Sequence, residues 1–203
     1  MKRAAVGFRV HSGWAALVAL AVEKGGPVVL VRERVQMVET FTYEFRQPYH
    51  TALKLGVEEG RGFVARSRGE ARRLALRAIR DVGARLEARG YELGRCGLVL
   101  ASGRALPGLE QILASHALIH TADGELFREA LLHASARCGL EAVKVKEKEL
   151  VDSASEEFHL TASALQNRLK ELGRAMGPPW SQDEKFAALV AWLTLASRAR
   201  ARV

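Results

Sequence analysis

Two apolar segments of equal length, separated by three residues, constrain this chain more than anything else in it. Ala4-Ala5-Val6-Gly7-Phe8-Arg9-Val10 is followed by His11-Ser12-Gly13, then by Trp14-Ala15-Ala16-Leu17-Val18-Ala19-Leu20. That pattern predicts a strand, a tight glycine turn and a second strand opening with an aromatic residue. The second strand ends at Glu23-Lys24-Gly25-Gly26-Pro27, a turn cluster suited to another hairpin. Val28 to Val38 follows, apolar throughout its first half and alternating in its second, and reads as strand three. The domain therefore opens with three antiparallel strands. At 203 residues the chain is long enough for one well-buried core.

The next segment is mixed. Thr40 to Phe45 carries β-branched and aromatic residues, with Phe41, Tyr43 and Phe45 at strand spacing, and Gln47-Pro48-Tyr49-His50 breaks it. Tyr49 to Leu55 predicts a short helix after Pro48, a favourable first helical residue. Gly56, Gly60 and Gly62 predict a long mobile connection and hence a candidate functional segment. From Ser67 to Arg89 an amphipathic helix is predicted, with Ala71, Leu74, Ala75, Ala78, Ile79, Val82 and Leu86 on one face and Gly90 as its stop.

Cys96 to Ala101 reads as a short buried strand ended by Ser102-Gly103-Arg104. A helical segment is expected from Leu106 to Ala114, and a longer helix from Thr121, its N-cap, to Arg137, with Gly139 after its end. Ala142 to Lys146 alternates as a strand. Ser153 or Ser155 caps a helix reaching Leu172, with Glu156 and Glu157 in its first turn. Gly177-Pro178-Pro179-Trp180 separates a last helix capped by Ser181, which Trp180 and Trp192 pack onto the domain. The expected organisation is one α/β domain over residues 1–176 with a helical extension over 177–203.

This order of elements, with the pieces Val6-Gly7-Phe8-Arg9 and Ser12-Gly13-Trp14-Ala15, resembles the Holliday-junction resolvases and their relatives in the ribonuclease H-like superfamily. The resemblance implies a mixed five-stranded sheet flanked by helices. It spans residues 4–172 as topology and little more than the first hairpin as residue identity. It also implies a place for chemistry, because those nucleases hold two divalent cations between carboxylates on strand one, strand four and the last helix. Here Arg9, or Val10 or His11, stands at the first corner and Ala101-Ser102-Gly103 at the strand-four corner, neither with an acid. Only the last corner keeps candidates, Asp152, Glu156 and Glu157, which are also ordinary first-turn helix acids. An arginine beside the metal position repels cations, so conventional two-metal nuclease activity is not expected. Sugar kinases and actin-like ATPases share the fold, but they pair two such halves, and this chain has room for one. No phosphate-binding loop and no cofactor motif is found.

The net charge of +8, from 31 Lys and Arg against 23 Asp and Glu, favours polyanionic partners through counterion release and steering. Arg66, Arg73, Arg77 and Arg80 line much of one helix face, with Arg72 beside it. That face reads either as a solvated surface or as a phosphate-tracking one. Phe41, Tyr43 and Phe45 fit edge packing or stacking on bases. Arg198 to Val203 reads as basic residues at a helix end. The longest apolar run, Trp14 to Val22, falls short of the about 20 residues that span a bilayer. Arg9 and His11 interrupt any signal-peptide core, so a cytoplasmic protein with no membrane partner is expected. Cys96 and Cys138 read as buried, reduced thiols.

The densest chemical cluster runs from Ser115 to Glu125. On a helix, His116 and His120 sit one turn apart on one face, a spacing that chelates zinc. Ala117 stands where the zinc-protease motif has its glutamate, so that chemistry is not supported. At a bend between two helices, Ser115, His116 and His120 would instead converge on a helix N-terminus, a natural anion site, with Asp123 and Glu125 in the first turn. A third reading has both histidines satisfying buried backbone groups. Tyr49-His50 reads as loop packing.

Arg9, His11 and Ser12 lie at the strand-end turn where this fold places its active centre. If that turn and the histidine segment face each other, Arg9, His11, Ser12, Ser102, Ser115, His116, His120 and Glu125 line one ligand site. Three function classes follow. The first is a non-nuclease binding or assembly module with a basic surface and nucleic acid as partner. The second is an enzyme or binding protein for a small anionic ligand. The third is a self-associating homo-oligomer using the edge of strand three and the C-terminal helix.

Overall fold

In the computed structural model, which describes residues 1–24, 26–101 and 105–197, the first hairpin forms as its sequence predicts. β1 (Lys2–His11) pairs antiparallel with β2 (Trp14–Glu23), in register from Ala4 opposite Ala21 to His11 opposite Trp14. Gly13 makes the turn at φ +83°, a left-handed conformation that side chains disfavour. β3 (Gly26–Gln36) continues antiparallel on β2. Three helices follow, α1 (Tyr43–Arg46), α2 (Pro48–Leu55) and α3 (Val57–Glu87). The chain returns through β4 (Tyr91–Leu100), parallel to β1, and after α4 (Leu109–Leu113) and α5 (His116–Arg137) through β5 (Glu141–Lys146), parallel to β4. α6 (Glu147–Phe158), α7 (Ala162–Met176) and α8 (Gln182–Ala196) complete the fold. The sheet order is β3-β2-β1-β4-β5, a mixed five-stranded sheet of the class expected.

Both faces of the central strands are covered, which is why β1 and β2 read as nearly unbroken apolar runs. Val6, Phe8, Val10, Leu17 and Ala19 face one core built by α3 and α5, including Ala75, Ile79, Val82, Phe127 and Leu131. Ala16, Val18, Leu20 and Val99 face a second core against α8. The C-terminal helical extension thus covers the other side of the sheet. It lies on the strands at backbone distance: a Cβ at Gly7 would sit 2.0 Å from the Ala187 carbonyl oxygen, and one at Gly97 would sit 2.7 Å from that of Val190. Full burial of Leu189 and Val190 contributes about 1.5–3 kcal/mol each. Trp192 stacks on Phe158 of α6, whereas Trp180 packs on α7, donating its indole N–H to the Leu169 carbonyl at 2.9 Å.

Several local expectations give way to tertiary context. The mobile connection expected around Gly56, Gly60 and Gly62 is instead the start of α3, ten residues before Ser67. A Cβ at Gly60 would lie 2.8 Å from the Ala52 carbonyl oxygen, so this glycine lets α2 and α3 touch. The segment Thr40 to Phe45, whose aromatics stand at strand spacing, is a helical turn in its second half, with Phe45 packed on Phe63 at 5.8 Å between ring centroids. Thr121 is not an N-cap: α5 begins at His116 after Ser115, and the Thr121 hydroxyl donates to the Ala117 carbonyl. The helix expected from residue 153 or 155 to Leu172 is two helices, broken at His159 (φ +53°) and restarted by Thr161, whose hydroxyl accepts from the Ala164 amide. Ser181 caps α8 as expected, in a capping box with Glu184. No helix among the described residues is long and apolar enough to cross a membrane.

Candidate functional site

At the end of β1, side-chain alternation sends Arg9 and His11 to the α8 side of the sheet, the side onto which Gly7 opens. Arg9 Nη2 lies 2.8 Å from Glu147 Oε2, and Nη1 donates to the Val10 carbonyl at 3.1 Å. His11 Nε2 lies 2.8 Å from Asp183 Oδ1. The His11 ring stacks on Trp14 with centroids 4.4 Å apart, and the Arg34 guanidinium lies 4.0 Å from the Trp14 ring centre. The two acids come from the first turns of α6 and α8. The acids expected at this corner, Asp152, Glu156 and Glu157, are exposed on α6 and form no ion pair among the described residues. Glu147 escapes a sequence reading that starts this helix at Ser153 or Ser155, and Asp183 escapes one that treats the last helix as peripheral. Ser12 presents its carbonyl to Arg46 Nε at 3.4 Å. Ser102 lies outside the described residues.

A second constellation lies on the opposite side of the sheet. His116 and His120 occupy the first two turns of α5, and His50 of α2 lies against them. One ring nitrogen from each of the three lies within 4.8 Å of the others. The ring centroids are 5.6 Å (His50–His116), 4.5 Å (His50–His120) and 4.4 Å (His116–His120) apart. Asp123, one turn further along α5 and only 2% exposed, anchors the group. Its Oδ2 lies 2.5 Å from His50 Nδ1, and its Oδ1 accepts the Tyr49 amide at 2.7 Å. Burial pushes the Asp123 carboxyl above the usual carboxylate range, against the opposing pull of the Tyr49 amide and His50. With Nδ1–H engaged by a carboxylate, His50 keeps the lone pair of Nε2 free to accept a hydrogen bond or bind a cation. His50, expected as loop packing, is therefore the third member of this group. Ser115 precedes α5 without a side-chain cap bond, and Glu125 pairs with Arg128 at 3.1 Å.

The two constellations do not form one site. Phe8 and Val10, on the α5 side, alternate with Arg9 and His11, on the α8 side. On α3, Arg66, Arg73, Arg77 and Arg80 are all exposed. Arg73 is paired with Glu39, while Arg77 and Arg80 form no ion pair among the described residues.

No protein-family model matches the sequence, and neither does any curated protein. Among solved structures, Thermus thermophilus RuvC superposes with a TM-score of 0.52 at 11% identity, covering 95% of this chain and 93% of that one. T. thermophilus RuvC in complex with Holliday junction substrate does so at 0.52 and 10%, covering 96% and 93%. The chain has a RuvC-like fold. Identity this low speaks for the arrangement of elements alone, and the site chemistry rests on the residues present. A pair of divalent cations at the strand-end corner, as the resemblance to the resolvases implies, needs several unpaired carboxylates. Among the described residues this corner offers a guanidinium on β1, Leu100 at the end of β4 and Ala101 after it. Its two acids each lie 2.8 Å from a basic partner. These residues do not fit such a pair.

Proposed function

We propose that this chain is a non-nuclease protein of RuvC-like fold that binds nucleic acid through a basic surface centred on α3. The observation that supports the non-nuclease half is the Arg9–Glu147 ion pair, a fixed positive charge near the end of β1, where the resemblance to the resolvases would have an acid. Nucleic-acid binding is supported by the net charge of +8 and by the exposed row Arg66, Arg73, Arg77 and Arg80, of which all but Arg73 have no acidic partner among the described residues. It is also supported by the fold's occurrence in a protein solved on a Holliday junction substrate.

The test is a titration of single-stranded, duplex and four-way-junction DNA at several salt concentrations, with magnesium or manganese present. The same samples are run on a gel for cleavage. Binding should be salt-sensitive and the DNA should stay intact. The Arg77→Glu/Arg80→Glu variant should weaken binding to every sequence alike and flatten the log–log salt slope on duplex DNA by about 0.9 per lost phosphate contact. Absence of binding at low salt removes the nucleic-acid reading. Metal-dependent cleavage that survives repurification removes the non-nuclease one.

A further inference from the structure

We propose that His50, His116 and His120 form a binding site for a zinc-like divalent transition-metal ion, with one coordination position left open. This inference stands on the α5 side of the sheet and is independent of the nucleic-acid reading. Three neutral imidazoles from two elements are a borderline-soft nitrogen donor set, suited to zinc and its neighbours and poorly suited to magnesium or calcium. Three protein ligands are one fewer than a closed structural zinc site uses, so the fourth position is open to water or an anionic oxygen.

The geometry is close to what such an ion requires. Tetrahedral zinc with bonds of about 2.0–2.1 Å sets its nitrogen ligands about 3.3 Å apart. The three donors already lie within 4.8 Å of one another. His116 and His120 are exposed, so side-chain rotation can close that difference without moving the backbone.

Two features set this group apart from three histidines that merely pack. The first is Asp123, a nearly fully buried carboxylate whose hydrogen bond to His50 Nδ1 fixes that ring's orientation and raises the basicity of Nε2. Carboxylate–imidazole pairs of this kind support histidine ligands in metal sites. The second is the arrangement of the exposed pair. Among the described residues, neither His116 nor His120 makes a side-chain hydrogen bond, and Asp123, whose charge His120 feels, is already engaged by His50 and the Tyr49 amide, although each exposed ring has open solvent to turn into. Both rings instead crowd against His50. A shared cation satisfies all three nitrogens at once.

The test uses the full chain, stripped with a chelator and dialysed, titrated with zinc in a calorimeter. Cobalt is added in parallel to read its ligand-field absorption. The wild-type protein should bind a single zinc ion per chain, rise in Tm on binding and give the intense cobalt bands of a tetrahedral site. His116→Gln/His120→Gln alters only exposed side chains. It should keep the wild-type circular dichroism and metal-free Tm, and lose at least 100-fold in zinc affinity together with the cobalt bands. Asp123→Asn should weaken zinc by about 10–100-fold. Zinc affinity unchanged in the double variant overturns the site, and so does a wild-type protein that takes up no zinc.

Discussion

Replacing Gly7 by alanine adds one methyl group where the structure leaves no room for it. The new Cβ would lie 2.0 Å from the Ala187 carbonyl oxygen, 2.8 Å from the Ala191 amide nitrogen and 2.9 Å from the Ala191 Cβ. Two of these three are backbone atoms of α8, so no side-chain rotation relieves the clash. The helix must rise by about 1.4 Å to restore ordinary van der Waals contact, and a gap of about 0.5–1 Å already forfeits a quarter to a half of each atom pair's attraction. The affected surface includes Ala187, Ala188, Leu189, Val190 and Ala191, all fully buried. Overpacking alone costs about 1–3 kcal/mol. With the loosened helix added, we expect Gly7→Ala to lose about 3 kcal/mol or more, a fall in Tm of about 6–12 °C for a chain of this size. The assay is urea unfolding followed by circular dichroism, with Gly69→Ala as its internal control. Gly69 is an exposed position inside α3 with nothing within 4 Å of an added Cβ. The same substitution there should stabilise the protein by about 0.5–1 kcal/mol. If Gly7→Ala unfolds within about 0.5 kcal/mol of wild type, the reasoning that β1 and α8 are in backbone contact is wrong.

Two further outcomes are expected. Burial pushes the Cys96 thiol up to about 12, whereas Cys138 is only partly buried. Iodoacetamide at pH 8 should therefore label Cys138 alone in the folded protein and both thiols in urea, as read by peptide mass spectrometry. Equal labelling of the two in the native state would contradict this placement. A chain ending at Met176 loses α8 and bares Ala16, Val18, Leu20 and Val99 on the sheet. It should bind a hydrophobic dye and unfold without a cooperative transition, and a sharp wild-type-like transition would show that α8 is dispensable.

The sheet is legible in the sequence because each strand carries its own signature. The Trp14 to Leu20 run and the glycine turn before it predict the hairpin with no outside information. β4 shows the limit: its first half, Tyr91 to Arg95, alternates in exposure and contains Gly94, so only its buried second half stands out. The start of α3 is hidden for a different reason. A glycine in a sequence reports conformational freedom, but not the neighbour that fills the space its missing side chain leaves. At Gly60 that neighbour is Ala52 of the preceding helix. The chemistry is hidden by distance. His116 and His120 are visible at helical spacing, but the carboxylate that orients the third histidine lies 73 residues from it. The partner of His11 lies 172 residues away. No local pattern encodes either meeting; only the crossing of the chain through the sheet does.

The position of α8 also sets an order of events during synthesis. β1 and β2 leave the ribosome before the other elements of this fold, yet one of their two faces has no cover until α8 follows, after every other described element. Through most of translation the nascent sheet therefore presents Ala16, Val18 and Leu20 as an uncovered apolar strip, the kind of surface that holdase chaperones bind and that drives aggregation. Closure of that strip couples residues at nearly the greatest separation the chain allows, and loop closure over such a span is slow. The His11–Asp183 contact, which exists only once α8 has docked, is thus a marker of finished folding, and the stacked Trp14 beside His11 supplies a fluorophore placed to report it.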